Sequence, residues 1–329
     1  MIIYLLKRIR KFFKSVGKKE EKINDLIIKL NFKKIFKELD LDKKDYNPNY
    51  QVKDTIKIAA VIAFFFDEKK LSTLSNVCES LNDISNQNEI YIITNSISST
   101  QEEQLKKYLK NNAQVVIIHE ILHNRLLPWY HLNLMKKLYF RKEITHFIYL
   151  EDDILLTKSN FHYWLNSRNI LKKFNLIPGF VRTETDNNNK NLYAIDFVKK
   201  NKLQSLPKIK VSKNYYFVNH KFPYQGMYLY DRELMEEHIG GPSSNPDCGH
   251  GAFDVNLIDP RMVNLDLMAK ANIGLTYINV PNGFFNRMVT LYNNEKKEID
   301  TNCQIKHLSN KYVNLKSWFG NIKVKDAIE

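Results

Sequence analysis

The sequence holds three cysteines in 329 residues, Cys78, Cys248 and Cys303, far apart and with no CxxC pair. That excludes an obvious disulfide framework and fits a reducing, cytoplasmic setting. Long apolar runs are also missing. MIIYLL at the start has six apolar residues before Lys7, too few for a transmembrane helix. The basic-then-apolar order and the cleavage site of a signal peptide are absent as well. No internal repeat is apparent, and no nucleic-acid-binding motif is visible. No nucleic-acid partner is therefore expected.

What is present is a globular composition with a basic excess. Apolar residues make up 43% of the chain and aromatics 12%, enough for a sizeable core. The formal net charge is +14, and much of it is concentrated in residues 1–22. Beyond that segment the basic residues are diffuse, as on a lysine-rich solvated surface. Drawn as a helix, residues 1–22 place Ile2, Leu5, Leu6, Ile9, Phe12 and Phe13 on one face. Lys7, Arg8, Lys11 and Lys14 lie largely off that face. Two partners suit such a helix: an anionic membrane surface, or a face of its own domain or another subunit. The expectation taken forward is peripheral attachment to the inner face of the cell membrane. Residues 23–54 read as a further helical segment and a polar linker.

From residue 55 apolar runs and helical spacings alternate. IKIAAVIAFFF (56–66), EIYIITN (89–95), AQVVIIHE (113–120) and HFIYLEDD (146–153) read as strands. LSTLSNVCESL (71–81), QEEQLKKYLKN (101–111) and PWYHLNLMKKLYF (128–140) read as helices between them. The fold expected is α/β, with a mostly parallel, Rossmann-like central sheet flanked by helices and an N-terminal helical extension. Residues 55–153 would form one half and 154–329 the other. In the second half 178–230 reads as short strands and loops, DRELMEEH (231–238) as a short helix, and ANIGLTYINVPN (271–282) as containing a strand.

The fourth strand ends in Glu151, Asp152 and Asp153. Ligands of open parallel sheets bind outside the carboxyl ends of the strands. Adjacent carboxylates there repel one another unless a cation or proton sits among them. With strand alternation, Glu151 and Asp153 share one ligand and Asp152 faces another group. Hard oxygen donors at an open site suit Mn²⁺ or Mg²⁺. A solvated acidic turn, or a helix start decorated with carboxylates, has the same composition.

The acidic strand end in its α/β setting resembles the GT-A class of glycosyltransferases, whose nucleotide-binding sheet ends its fourth main strand in a DxD-type motif. The resemblance implies Asp153 as metal ligand, Glu151 as ligand of metal or donor ribose, and Asp152 sharing either role. CGHGAFD (248–254) resembles the Gly-rich acceptor-side loop of inverting members. This implies Asp254 as the base that takes the acceptor hydroxyl proton. Asp247 and His250 are rivals in that loop, His250 also as an acceptor contact, and Asp254 could instead cap a helix. CQIKHLSNKY (303–312) resembles the C-terminal segment that folds back to complete the metal site, through His307. The resemblance places Arg182, Glu184, Gln225 and Gly226 on the acceptor side, and Phe66, Asp67, His131 and Lys136 on the donor side.

The activity implied is hexosyl transfer from a nucleotide sugar, commonly UDP-linked, to a glycan or lipid-linked acceptor. Polysaccharide or lipopolysaccharide synthesis at the cell surface is the expected setting, and the Lys-, Asn- and Ile-rich composition points to an AT-rich bacterial genome. Two other readings remain. A sugar-phosphate nucleotidyltransferase uses a similar sheet but carries a Gly-rich phosphate loop after strand one, where FFFDEKKLST (64–73) has no glycine. A non-enzymatic basic protein bound to a membrane is the other.

Overall fold

The computed structural model describes residues 56–110, 113–121, 124–186, 188, 190–197, 199–244, 267–314 and 320–329, together with Leu26. The N-terminal segments 1–22 and 23–54 expected above lie outside the described residues, apart from Leu26.

The main sheet grows from the apolar runs. Strands β1 (Ile58–Phe64), β2 (Asn88–Asn95), β3 (Gln114–Ile118) and β4 (His146–Glu151) pair in parallel, in the order β4-β1-β2-β3. Phe147, Ile148, Tyr149 and Leu150 of β4 are fully buried. A strand buried on both faces reads as a continuous apolar run rather than an alternation. Each such side chain contributes about 1.5–3 kcal/mol of burial.

Helix α1 (Leu71–Asn82) buries Leu71, Leu74, Val77, Cys78 and Leu81, a stripe at helical spacing. Helix α2 (Ser99–Leu109) starts at a capping box between Ser98 and Gln101. Pro128 lies in a 3-10 segment (Asn124–Tyr130) that leads into α3 (His131–Tyr139). The short β5 (Ile154–Leu155) follows the acidic turn. Helix α4 (Lys158–Leu171) then opens with a capping box between Thr157 and Asn160.

The second half builds two smaller sheets and completes the first. Its strands are β6 (Ile177–Pro178), β7 (Val181–Thr185), β8 (Leu192–Ala194), β9 (Lys208–Lys210), β10 (Tyr215–Val218) and β11 (Met227–Asp231). Helices α5 (Arg232–Gly240) and α6 (Leu267–Asn272) follow. The chain ends with β12 (Met288–Asn293), β13 (Glu298–Ile299), β14 (Gln304–His307), α7 (Lys311–Asn314) and β15 (Ile322–Lys323). Strand β11 joins the edge of the main sheet antiparallel to β4, with Tyr228 opposite Tyr149. The second sheet runs β13-β12-β10-β9, with β6 beside β12. The third runs β15-β8-β7-β14-β5.

The strand expected within 271–282 is not formed. Helix α6 ends at Asn272, and Gly274 and Asn279 take left-handed backbone angles that interrupt any ladder. The apolar residues of this stretch are buried as a loop instead. The N–H of Leu275 donates to the Tyr230 hydroxyl at 2.6 Å. Among the described residues no helix is long and apolar enough to cross a membrane.

The core also holds neutral histidines. Burial pushes His131, His220 and His238 down to about 3 and His146 to about 4. The unfolded chain protonates its imidazoles below about 6.5, so it binds more protons than the fold between that pH and about 4. Those four groups therefore lower stability as pH falls. His307 and Glu151, both raised, and Asp152, raised to about 6, act in the opposite direction, while part-exposed His162, lowered by burial, joins the four. Five outweigh three. The urea midpoint is expected to fall from pH 7.5 to pH 5, and the fall is expected to be smaller in His238→Phe. A midpoint that rises toward pH 5 would contradict this.

Candidate metal centre

Glu151 is the last residue of β4, Asp152 and Asp153 form a turn, and β5 begins at Ile154. The strand expected to run through residue 153 thus stops at 151. The separation of Asp152 from its neighbours comes from the turn, not from strand alternation. Strand β14 lies antiparallel to β5 with His307 opposite Ile154. The N–H of Leu308 donates to the carbonyl of Asp153 at 2.8 Å, fixing this register. Asn160, at the start of α4, holds the other end of β14 by donating to the carbonyls of Asn302 and Gln304 at 2.8 and 2.9 Å. One potential ligand atom from each of Glu151, Asp153 and His307 therefore falls within 4.8 Å of the others.

Each of the three is held from behind. His307 Nε2 lies 3.1 Å from Asp153 Oδ2, and its Nδ1 lies 2.5 Å from Glu184 Oε1. Glu151 Oε1 accepts from the Tyr224 hydroxyl at 2.7 Å and from the Asn272 amide, while its Oε2 lies 3.8 Å from the Arg182 guanidinium. Asp152 turns the other way and pairs with Lys70 Nζ at 3.1 Å.

The electrostatics follow from this crowding. Burial and then the Asp153 charge raise Asp152 to about 6, against the pull of Lys70. Burial raises Glu151, and the Arg182 charge beside it offsets only part of that rise. Burial works against an ionised Asp153 too, but the hydrogen bond and charge of His307 outweigh it and bring Asp153 down to about 2. Burial also disfavours an imidazolium at His307, yet its bonds to Asp153 and Glu184 raise its pKa. Without a metal, a proton on His307 is the nearest compensation for these carboxylates.

Two carboxylates and one imidazole form a donor set that fits a hard or borderline divalent cation. The convergence of three such groups in a part-buried position, with the non-ligand nitrogen of His307 tied to a carboxylate, meets that requirement.

The other expected site residues are distributed as follows. Arg182 and Glu184, expected on the acceptor side, are internal. Arg182 binds Asp196 bidentately, at 2.9 and 2.7 Å, and packs on the Tyr224 ring. Glu184 faces His307. Gln225 is buried, with its amide oxygen accepting from the N–H of Phe180 at 2.7 Å. Gly226 touches Glu151 directly, its carbonyl accepting from the Glu151 N–H at 3.0 Å. On the donor side the N–H of Phe66 bonds Asn95 Oδ1 at 2.7 Å, and exposed Asp67 caps the following 3-10 turn. His131 is fully buried and stacked on Tyr149, so it offers no surface to a diphosphate; Lys136 is exposed. Asp254, His250 and Asp247 lie outside the described residues.

Sequence reasoning missed Lys70, Tyr224, Asn272 and Asp196. A lysine pair directly after β1 was a visible signal for Lys70. Asn272 was hidden in a stretch read as a strand, and nothing local marks Asp196 as the partner of Arg182.

No family model matches this sequence, and no curated protein sequence matches it. Partial likeness is found among solved structures of glycosyltransferases. Two structures of the glycosyltransferase GlyE from Streptococcus pneumoniae TIGR4 share 16% and 18% identity, each with a TM-score of 0.22. They match over 31% of this chain and over 24% and 25% of theirs. The galactosyltransferase LgtC, in complex with donor and acceptor sugar analogues, shares 12% identity with a TM-score of 0.24. It matches over 32% of this chain and 41% of its own. The chain thus spans less than half the length of each. Likeness of that extent lends no weight to a function, which has to be argued from the site.

The packing of Gly226 on Glu151 is directly testable. Gly226 has φ +63°, and a Cβ there would sit 2.9 Å from Glu151 Oε2. Gly226→Ala is expected to cost about 1–2 kcal/mol in backbone strain and to push the Glu151 carboxylate from its place. Thermal melts and a crystal structure of the variant would show both effects; a variant as stable as wild type with Glu151 unmoved would refute the argument.

Proposed function

We propose that the chain is a metal-dependent glycosyltransferase of the GT-A type, transferring a hexosyl group from a nucleotide sugar to a glycan or lipid-linked acceptor. The observation that carries this reading is the grouping of Glu151, Asp153 and His307 at the carboxyl end of β4, where open parallel sheets bind their ligands. The same three residues would hold Mn²⁺ or Mg²⁺. When bound, that ion offsets the charge on a departing nucleoside diphosphate.

The chain's own groups prepare the place. Tyr224 and Asn272 hold one oxygen of Glu151, and Gly226 leaves room for the other. Lys70 draws Asp152 aside and adds positive charge at the rim of the site. Asp254 is the proposed general base, accepting a proton from the acceptor hydroxyl as it attacks the anomeric carbon. A UDP-linked donor, a role in bacterial surface polysaccharide or lipopolysaccharide synthesis, and attachment to the inner membrane face through residues 1–22 complete the reading. The acidic cluster supports the metal and the diphosphate. The basic amphipathic pattern of the first 22 residues supports the membrane.

The test is turnover of a panel of UDP- and GDP-sugars with Mn²⁺, Mg²⁺ or EDTA. Hydrolysis or transfer of at least one donor is expected with metal and not with EDTA. Asp153→Asn should lower it by at least about a hundredfold while leaving the circular dichroism spectrum unchanged. Metal-independent turnover, or full activity in Asp153→Asn, would remove the proposed role of the cluster.

A further inference from the structure

Glu184 is a carboxylate with almost no access to solvent, and its surroundings specify what it does. Its Oε2 accepts from two consecutive backbone N–H groups, Tyr312 at 2.9 Å and Val313 at 2.8 Å. Its Oε1 lies 2.5 Å from His307 Nδ1. An ionised carboxylate has only acceptor sites, so a hydrogen bond on that side requires the proton to sit on Nδ1. The strand register leaves little freedom. Strands β7 and β14 are parallel with Thr183 beside Lys306, so the next residues along, Glu184 and His307, are neighbours as well. The opposite nitrogen, Nε2, faces Asp153 Oδ2 at 3.1 Å, so both nitrogens meet a carboxylate; the Glu184 contact is the shorter, and in a neutral ring it is the one that keeps the proton.

We infer that Glu184 is the positioning residue of the metal centre: it fixes His307 as the Nδ1–H tautomer and so directs the lone pair of Nε2 at the cation position beside Asp153 and Glu151. This rests on the proposed metal centre and adds to it the group on which the histidine's competence as a ligand depends. A ligating imidazole needs an unprotonated nitrogen toward the metal, and a carboxylate on its far nitrogen supplies both the tautomer and the orientation. Glu184 also ties the segment carrying Tyr312 and Val313 to β7, so one carboxylate sets the ring and anchors the chain just beyond it.

Glu184→Gln separates this from mere packing. The amide keeps the size of the carboxylate but has one oxygen. That oxygen satisfies both backbone N–H groups if it faces Tyr312 and Val313, which leaves the NH₂ toward His307. Nδ1 must then accept, and the proton moves to Nε2, the nitrogen needed by the cation.

Two measurements read this out. Long-range ¹H–¹⁵N spectra of the imidazoles, recorded with rising pH until the His307 ring has lost its second proton, should show His307 as Nδ1–H in wild type and Nε2–H in Glu184→Gln. Mn²⁺ binding followed by electron paramagnetic resonance should weaken about tenfold to a hundredfold in Glu184→Gln, approaching the loss in His307→Ala. An Nε2–H tautomer in wild type, or unchanged Mn²⁺ affinity in Glu184→Gln, overturns the inference. If the variant does not fold, the wild-type spectrum alone decides. If wild type binds Mn²⁺ and Asp153→Asn does not, the metal centre stands however Glu184 fares. If wild type binds no Mn²⁺, the metal centre fails and this inference falls with it.

Discussion

The candidate centre depends on the register of one short strand. Strand β14 lies between β5 and β7, and that position alone sets His307 opposite the acidic turn on one side and next to Glu184 on the other. Side chains along a strand alternate with a period of two, so a slip of one residue would turn His307 to the opposite face. Three contacts hold the register: Leu308 to the Asp153 carbonyl, and Asn160 to the carbonyls of Asn302 and Gln304. Asn160 does so while also closing the capping box of α4. One side chain therefore links the start of a helix, the end of the third sheet and the placement of a ligand.

Charge balance is the second constraint. Glu151, Asp153, Glu184 and Asp196 lie within a small, part-buried region, and unpaired carboxylates there are costly. The fold meets this with donors of different kinds. Arg182 neutralises Asp196 bidentately, an arrangement with strong geometric preference. Glu184 relies on two backbone N–H groups and His307. Glu151 has neutral donors, with Arg182 at a longer distance, and its pKa is raised accordingly. The arrangement is thus least complete around Glu151, whose pKa is raised, whereas the His307 bond brings Asp153 down to about 2. A cation placed among Glu151, Asp153 and His307 would supply the charge that Glu151 lacks.

The main sheet was legible because β1, β2 and β4 are largely buried on both faces and read as uninterrupted apolar runs, as in IAAVIAF of β1. The acidic triplet was legible as an anomaly at such a run's end. The misread stretch 271–282 shows the limit of that signal. Apolar residues record burial, and a buried loop such as Leu275–Ile278 is as apolar as a strand. The burial of Arg182 and Glu184 was not legible, for a different reason. A charged residue in sequence suggests a surface or a ligand, whereas these two are consumed by partners that only the pairing of β7 with β8 and β14 brings near. His131 is similar: its helix was found, but its stacking on Tyr149 reflects the packing of α3 on the sheet.

The same topology ties the cation position to completion of the fold. β4 and the turn after it supply two of the three candidate ligands, but the third arrives far downstream on β14, after most of the second half has been threaded between them. Tyr224 and Asn272, which hold Glu151, also come from that half. The main sheet taken by itself would present Glu151, Asp152 and Asp153 as an open acidic turn, with neither the imidazole nor the neutral donors. A cation bound only by the finished arrangement would stabilise the folded chain by RT ln(1 + [L]/Kd), with [L] the free cation concentration. Binding of the proposed cation and the docking of β14 would for that reason be one equilibrium seen from two ends.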